Sequence, residues 1–317
     1  MVFMATLGSL GEQEVIRRLE HLLPAPPSGV LGIGDDTAVV RNPGQPDLLY
    51  TTDAVIEGQH FTADADPYQV GHKAVGRVLS DIAAMGGQPR WLLVDVTAPP
   101  EMHVEDLEAI YRGMSALATA SGAAIIGGDL AESERLSLHV FGVGDAPEGR
   151  AILRSTAQPK DVLVVTGRLG GSIHGRHLTF QPRLTEGVFL RDWATSMIDL
   201  SDGLATDIRH ICGTSGVGAL INLPEIPISR DVHDHEPDRT KLMHALTDGE
   251  DYELLFTVAP DDLLAFIKAW DAVFDAPCYP VGMMFAEPGV IKTIDQHNTI
   301  KDLDRNAFEH FRTPLDQ

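Results

Sequence analysis

The length and the charge of the chain limit the kinds of protein it can be. Its 317 residues suffice for two domains of ordinary size, and 44% hydrophobic residues suffice to fill a core in each. With 24 basic and 46 acidic side chains the formal net charge is −22, which argues against a nucleic-acid groove or an anionic membrane surface as partner.

The sequence also predicts a cytoplasmic protein. Cys212 and Cys278 are its only cysteines, which argues against a disulfide framework and against a cysteine-based zinc site. It shows neither a signal-peptide pattern nor an apolar run of about 18 residues, the length of a membrane span. We therefore expect a protein that stays in the reducing cytoplasm.

The first half of the chain alternates predicted helices and strands. Ser9 and Glu12 have the spacing of a capping box at the start of a first helix. Asp66 as cap and Pro67 in the first turn predict a longer helix that ends near Gly86. The other elements predicted here are strands at about 31–40, 47–58, 91–99, 123–130 and 135–144, and a helix at 103–121.

A second series of elements follows a polar segment at 144–150 that contains glycine and proline. We place a domain boundary there, between a first domain at 1–149 and a second domain at 150–317. The alternation predicts an α/β (α+β) layer architecture. The elements predicted in the second half are strands at about 161–167, 218–224, 252–260, 278–284 and 289–295, and helices at about 202–213, 241–249 and up to 273.

Short acidic motifs recur along the chain beside glycine or a small hydroxyl residue. Carboxylates, with water and substrate phosphates, are the oxygen ligands that Mg²⁺ prefers. The sequence therefore predicts a magnesium site wherever the fold brings these motifs together. The motifs are GDD at 34–36, TTD at 51–53, LSD at 79–81, GGD at 127–129, DLSD at 199–202 and GED at 249–251.

Each motif taken alone can also be explained as a turn or a helix cap. Asp81 fits that explanation least, because the helix dipole disfavours an anion in the last turns of a helix. Arg77, four residues earlier, is the ion-pair partner expected for it. Gly127 and Gly128 follow an apolar run, so we expect a turn that presents Asp129 at a sheet edge.

The common nucleotide-binding and nucleophile motifs are absent from the sequence. It contains neither GxxxxGK[ST] nor GxGxxG, which argues against a P-loop or a Rossmann site. Ser201 lies in DLSDG, which is not a GxSxG elbow, so covalent catalysis is not expected. An acidic enzyme that handles phosphates would instead need metal cations.

Six motifs follow one another in a fixed order: GIGDDTAVV, TTDAVIEGQHF, KAVGRVLSDIAAMGGQP, IIGGDL, IDLSDGLATDI and GEDYELLFTV. In this order they resemble the thiamine-monophosphate kinase family, in the superfamily that includes aminoimidazole ribonucleotide synthetase, and the resemblance spans residues 32 to about 311. Each motif alone is weak evidence, whereas the ordered set is highly specific.

The resemblance implies an enzyme that transfers the γ-phosphoryl group of ATP directly to thiamine monophosphate, giving thiamine diphosphate. It implies a two-domain aminoimidazole ribonucleotide synthetase-like fold with an N-terminal mixed sheet and a C-terminal α/β domain. The N-terminal domains would pair in a homodimer, with ATP in a cleft along that pairing. Several Mg²⁺ ions would offset the repulsion between the two phosphates.

The resemblance also implies roles for individual residues. The implied metal ligands are Asp36, Thr51, Thr52, Asp53, Asp81, Asp129, Asp199 and Asp202. The implied ATP contacts are Tyr111, Gly128, Asp129, Arg154 and Ser201. The implied contacts of thiamine monophosphate are His60, Glu250 and Phe308. A carboxylate and an aromatic face suit the aminopyrimidine and the cationic thiazolium of that acceptor.

Two other hypotheses remain. The segment 172–198 is shorter than its counterpart in the family, so a different acceptor within the superfamily is one alternative. Against it, EGQHF and GEDYELLFTV favour the thiamine branch. The other alternative is a non-catalytic protein that binds nucleotide or divalent cations, and it predicts ATP binding without formation of ADP.

Overall fold

The computed structural model describes residues 5–232 and 239–303. Within these ranges the helices are α1 (Leu7–Leu10), α2 (Glu12–Glu20), α3 (Pro67–Ala84), α4 (Val104–Ala120), α5 (Leu184–Leu190), α6 (Leu204–Ser215), α7 (Lys241–Thr247) and α8 (Leu263–Asp271). Short 3₁₀ turns span Arg154–Thr156, Ser172–His174, Arg176–Leu178 and Leu223–Glu225. In the described part of the chain, no helix is both long enough and apolar enough to cross a membrane.

Six strands form the first sheet of the described chain. They are β1 (Val30–Leu31), β2 (Ala38–Val40), β3 (Asp47–Ile56), β4 (Gln88–Ala98), β5 (Ala124–Glu132) and β6 (Ser137–Ala146). Their order across the sheet is β1-β2-β3-β6-β4-β5, and only the β4–β5 pair among them is parallel. Side chains along β4 alternate between buried and exposed, because helices cover one face of the sheet in this chain.

Seven strands form the second sheet of the described chain. They are β7 (Val162–Thr166), β8 (Ala194–Asp199), β9 (Gly218–Asn222), β10 (Leu254–Val258), β11 (Cys278–Phe285), β12 (Ile291–Ile294) and β13 (Ile300–Asp302), in the order β13-β12-β9-β11-β7-β10-β8. Every residue of β10 is buried. One face packs around Ile208 and Ile211 of α6, and the other around Phe266 and Trp270 of α8.

Helix α3 lies between the two sheets and contacts strands of both. It packs on β3 and β6 of the first sheet and on β8 of the second, with α4 beside it. Gly71 and Gly113 allow α3 and α4 to approach closely, since a Cβ atom on Gly71 would lie 2.0 Å from the carbonyl oxygen of Ile110. This position lets α3 present its polar side chains to residues from both halves of the chain.

The predicted start of α3 is confirmed, whereas two other local predictions are wrong. Asp66 accepts hydrogen bonds from the main-chain N–H groups of Tyr68 and Gln69, at 2.8 and 3.3 Å. The capping box predicted from Ser9 and Glu12 instead joins Thr6 and Ser9, at the start of α1. The turn predicted at 127–129 lies inside strand β5, because its residues continue the ladder with β4.

Candidate functional site

Three carboxylates from distant parts of the chain converge where α3 meets the two sheets. Asp36 precedes β2, Asp81 lies on α3, and Asp199 is the last residue of β8. One carboxylate oxygen from each lies within 4.8 Å of the others. The structure therefore brings together three of the predicted metal ligands, and we call them the carboxylate cluster.

Burial and mutual repulsion make the carboxylate cluster a strong site for positive charge. Burial, followed by the charges of Asp199, Asp53 and Asp36, raises the pKa of Asp81 well above its usual range. Burial and Asp36 likewise raise the pKa of Asp199 to about 8. Ser80 partly offsets this, because its hydroxyl donates to Asp199 at 2.6 Å. Buried oxygen donors that favour neutralisation by a proton or a cation fit a hard divalent ion such as Mg²⁺.

Strand β3 carries three predicted metal ligands on two opposite faces. Thr51 donates from its hydroxyl to Asp81 Oδ2 at 2.5 Å. Asp53, on the same face, forms an ion pair with Arg77. Thr52 lies on the other face with an exposed side chain, so its hydroxyl is not brought to the carboxylate cluster. The predicted pairing of Arg77 with Asp81 is wrong, because the guanidinium of Arg77 pairs with Asp53 of β3 and with Glu250 instead.

Arg154 holds both acidic residues of the GDD motif. Its main-chain N–H donates to Asp35 Oδ1 at 2.6 Å, and its guanidinium donates to the two oxygens of Asp36 at 2.5 and 3.1 Å. Burial alone would lower the pKa of this guanidinium, but the charge and hydrogen bonds of Asp36 outweigh burial, so the pKa lies above its usual range. Arg154 thus offsets part of the negative charge in the carboxylate cluster. Its predicted contact with ATP stays a prediction.

Asp202 belongs to a second group of potential ligands at the start of α6. One ligand atom each of Asp202, Asp207 and His210 lies within 4.8 Å of the others. Asp207 accepts hydrogen bonds from the main-chain N–H groups of Asp202 and Gly203, at 3.2 and 3.0 Å. Burial lowers the pKa of His210 to about 4, which leaves its imidazole neutral. Sequence reasoning missed Asp207 and His210, although their spacing of three on a helix places them on one face.

A cavity of about 150 Å³ lies near the carboxylate cluster, since its lining includes Arg77, which precedes Asp81 by about one turn of α3, and Ser201, which follows Asp199 closely along the chain. It is lined by Gln59, His60, Arg77, Ile173, His177, Ser201, Asp202, Asp248, Glu250 and Tyr252. Two of the three predicted acceptor contacts, His60 and Glu250, therefore share one cavity, and Phe308 lies outside the described residues. Ile173 and His177 come from the short segment 172–198, so this segment contributes to the cavity despite its length.

A buried lysine that sequence reasoning missed connects the two predicted acceptor contacts. Lys73, whose side chain is 0% exposed, forms an ion pair with Glu250. Its Nζ also donates to the main-chain oxygen of His60 at 2.8 Å and lies 2.7 Å from Nδ1 of His177. Burial alone would raise the pKa of Glu250, but His177, Lys73 and Arg77 lower it to about 2. Glu250 is therefore held as a carboxylate.

The remaining predicted ATP contacts lie at the far edge of the first sheet. Gly128 and Asp129 are exposed on β5, and β6 and β4 separate this strand from β3. At about 4.8 Å per strand, Asp129 lies roughly 14 Å from the line of β3. Tyr111, on α4, lines a shallow groove beside β5. The packing of the strands also requires glycine at position 128, because a Cβ atom there would lie 1.8 Å from the carbonyl oxygen of Val94. Within one chain these residues do not reach the carboxylate cluster.

Comparison with known proteins places the chain in one family. Residues 34–146 match the family model described as AIR synthase related protein, N-terminal domain. Thiamine-monophosphate kinase from Salmonella typhimurium is 36% identical over 89% of this chain and 92% of its own length. That from Escherichia coli (strain K12) is 36% identical over 90% of this chain and 93% of its own length.

A solved structure gives the same answer for the fold. The structure named "AaThiL complexed with AMPPCP and TMP" has a TM-score of 0.85 and 28% identity, and the match covers 97% of this chain and 99% of that chain. The predicted aminoimidazole ribonucleotide synthetase-like fold is thereby confirmed. Since the similarity covers nearly the full length of each relative, the chain belongs to the thiamine-monophosphate kinase family.

Proposed function

We propose that this protein transfers the γ-phosphoryl group of ATP to thiamine monophosphate, giving thiamine diphosphate and ADP. The observation that carries the proposal is the position of the carboxylate cluster beside a cavity lined by His60 and Glu250. The similar structure named "AaThiL complexed with AMPPCP and TMP" supports this pair of substrates. AMPPCP is an analogue of ATP, and we interpret TMP as thiamine monophosphate.

The carboxylate cluster would hold Mg²⁺, with Thr51 and Asp53 next to it and Asp202 in the neighbouring group. Bound there, Mg²⁺ supplies positive charge to the oxygens of donor and acceptor phosphates. The protein's own side chains provide the remaining contributions. Arg77 and Lys73 keep Glu250 ionised and in place, so that it can meet the cationic acceptor.

The same geometry favours a direct transfer. The acceptor is itself a phosphate that is ionised near neutral pH, so no strong general base is needed to activate it. Ser201 lines the cavity, and its main-chain oxygen accepts a hydrogen bond from the N–H of Glu250 at 2.7 Å. The side chains therefore act by positioning two anions in line, which is the main demand of phosphoryl transfer.

A homodimer completes the proposed site. The face of the first sheet opposite its helices carries apolar side chains in the monomer, with Trp91 50% and Leu93 41% exposed. Asp129 lies in register with Asp95 on the same face. A second copy packed there would bring Gly128 and Asp129 to a protomer boundary, in keeping with ATP in a cleft along the pairing.

The dimer proposal predicts a specific effect of a charge on this face. Leu93→Asp would place a carboxylate in an apolar interface, so we expect the protein to shift toward monomers and to lose affinity for ATP. Sedimentation velocity and the KM for ATP measure these effects. Leu264→Asp is the matched control, since Leu264 is 84% exposed on α8. A Leu93→Asp protein that stays dimeric would contradict the proposed interface.

Turnover with a panel of acceptors tests the proposed reaction. With ATP and Mg²⁺, we expect ADP to form with thiamine monophosphate but not with thiamine, which lacks the acceptor phosphate, or with aminoimidazole precursors, which lack the cationic thiazolium that Glu250 would meet. Chromatography of the thiamine products identifies the new diphosphate. ADP formation with another acceptor would favour a different member of the superfamily, and ATP binding without ADP formation would favour the non-catalytic alternative.

The chain also has features that indicate a division into two domains and a location in the cell. We propose a domain boundary near residue 150, which is supported by the end of the first sheet at Ala146 and the start of the second at Val162. We also propose a cytoplasmic location, which is supported by the free state of Cys212 and Cys278.

A further inference from the structure

Tyr252 carries a buried hydroxyl for which the described part of the chain supplies no hydrogen-bond partner. The residue is 2% exposed, and its hydroxyl has no hydrogen-bond partner among residues 5–232 and 239–303. Buried polar groups in native proteins are nearly always hydrogen-bonded, so an exception calls for a physical reason. Tyr252 lines the cavity next to the carboxylate cluster, and a molecule bound there would satisfy the hydroxyl.

The ring of Tyr252 is held in one position. It stacks on Phe180 with 3.9 Å between the ring centroids and 15° between the ring planes. The main-chain N–H of Tyr252 donates to the oxygen of Leu200 at 2.8 Å. Both Tyr252 and Glu250 adopt positive φ angles, +51° and +57°, which residues other than glycine rarely adopt. Strained backbone of this kind is common where a protein positions a ligand.

The phenol of Tyr252 is influenced by charged groups of both the cavity and the carboxylate cluster. Burial raises the pKa of Tyr252 well above its usual range, and the charged groups that act on it are Arg77, Glu250, Asp53 and Asp199, in that order. The phenol is therefore neutral and keeps its proton for a hydrogen bond. Of these groups, Arg77 and Glu250 line the cavity with Tyr252, and Asp199 belongs to the carboxylate cluster.

We propose that the Tyr252 hydroxyl donates a hydrogen bond to the phosphate of the acceptor and positions it beside the Arg77 guanidinium. This inference rests on the proposed function and refines the same site. A phosphate oxygen suits a neutral O–H donor and a guanidinium together, because both donate to an anion. The phosphate must also be the part of the acceptor nearest the carboxylate cluster, since the donor phosphate meets it there.

Tyr252→Phe tests this role because it removes only the hydroxyl and keeps the stacked ring. A hydrogen bond to a charged group corresponds to about a 10- to 100-fold difference in affinity. We therefore expect the KM for thiamine monophosphate to rise about 10- to 100-fold with kcat nearly unchanged, as for a contact present in ground and transition states alike. Calorimetric titration should show the same loss for thiamine monophosphate and no loss for thiamine, which lacks the phosphate.

The melting temperature gives an independent readout. Since the hydroxyl has no partner within the described protein, Tyr252→Phe should melt at or above the wild-type temperature. Tyr279→Phe is the matched control, because Tyr279 is a partly buried tyrosine outside the cavity, with its ring under the Arg168 guanidinium, 5.7 Å from it. This control should leave acceptor binding and turnover unchanged.

Each outcome decides between the alternatives. Unchanged binding of thiamine monophosphate by Tyr252→Phe would overturn the proposal, and so would an equal loss for thiamine, which would move the contact away from the phosphate. A clearly lowered melting temperature would overturn it as well, by showing that the protein itself uses the hydroxyl. Failure of the proposed function is distinguishable, because the wild-type protein would then form no ADP with thiamine monophosphate.

Discussion

Replacing Asp81 with Asn is expected to cause a large loss of turnover and, at the same time, to make the metal-free protein more stable. Burial and the neighbouring Asp199, Asp53 and Asp36 raise the pKa of Asp81, so its charge opposes folding when no cation is bound. Asn keeps the shape of the side chain and can accept the hydrogen bond from Thr51. We expect a loss of about a hundredfold or more in kcat, since metal ligation contributes several kcal/mol.

The stability arm of this experiment uses thermal unfolding without and with Mg²⁺. Asp81→Asn should raise the melting temperature of the metal-free protein by a few degrees, as expected for about 1 kcal/mol, and should reduce the further rise that Mg²⁺ causes in the wild type. Asp161→Asn is the matched control. Asp161 is also buried and accepts from the N–H of Gln158 and the hydroxyl of Thr195, away from the carboxylate cluster. A destabilised or fully active Asp81→Asn protein would contradict the assignment.

Much of the fold could be predicted because its signals are local. The bounds of α3 follow from Asp66 and Pro67 at one end and from Gly86, with a positive φ, at the other. Strand β8 was harder to predict, because the sequence ATSMID shows no regular alternation. Its four last residues are buried through pairing with β10, which lies more than 50 residues later.

The candidate site was predictable in its chemistry and less so in its pairing. The acidic motifs indicated a cation site, and Asp36, Asp81 and Asp199 do converge. Helical spacing favoured Arg77 as the partner of Asp81, but a strand that packs across the helix supplied Asp53 instead. Local spacing cannot anticipate a partner that only tertiary packing brings near.

Lys73 extends the charged face of α3 by one further turn. Lys73, Arg77 and Asp81 are spaced four residues apart, so they lie on one face of a helix whose other residues are largely apolar. Burying such a face requires partners for each charge. Glu250, 177 residues beyond Lys73, is one of these partners, and no local pattern could have identified it.

Replacing Glu250 with Gln is expected to cause a large loss of stability for so conservative a change. Lys73 is fully buried, and Glu250 is the carboxylate that pairs with it. Removing one partner leaves a buried ammonium group without a counter-charge, which typically costs about 3–5 kcal/mol. Since Glu250 remains 24% exposed, we expect the lower end of that range, about 3 kcal/mol. Urea unfolding of the wild type and the variant measures the difference in the free energy of unfolding.

The double variant Lys73→Met with Glu250→Gln separates the free energy of the ion pair from the effects of changing each side chain alone. It removes both charges together, so we expect it to be more stable than Glu250→Gln alone, with a favourable interaction term in the mutant cycle.

The pH dependence of stability tests whether the charge of Glu250 stabilises the fold. His177, Lys73 and Arg77 outweigh the effect of burial and lower the pKa of Glu250 from 4.5 to about 2. Its stabilisation is therefore complete above about pH 4.5 and is lost as the pH falls toward 2. The difference between wild type and Glu250→Gln should narrow over that interval, and a difference that stays constant would show that the charge of Glu250 does not stabilise the fold.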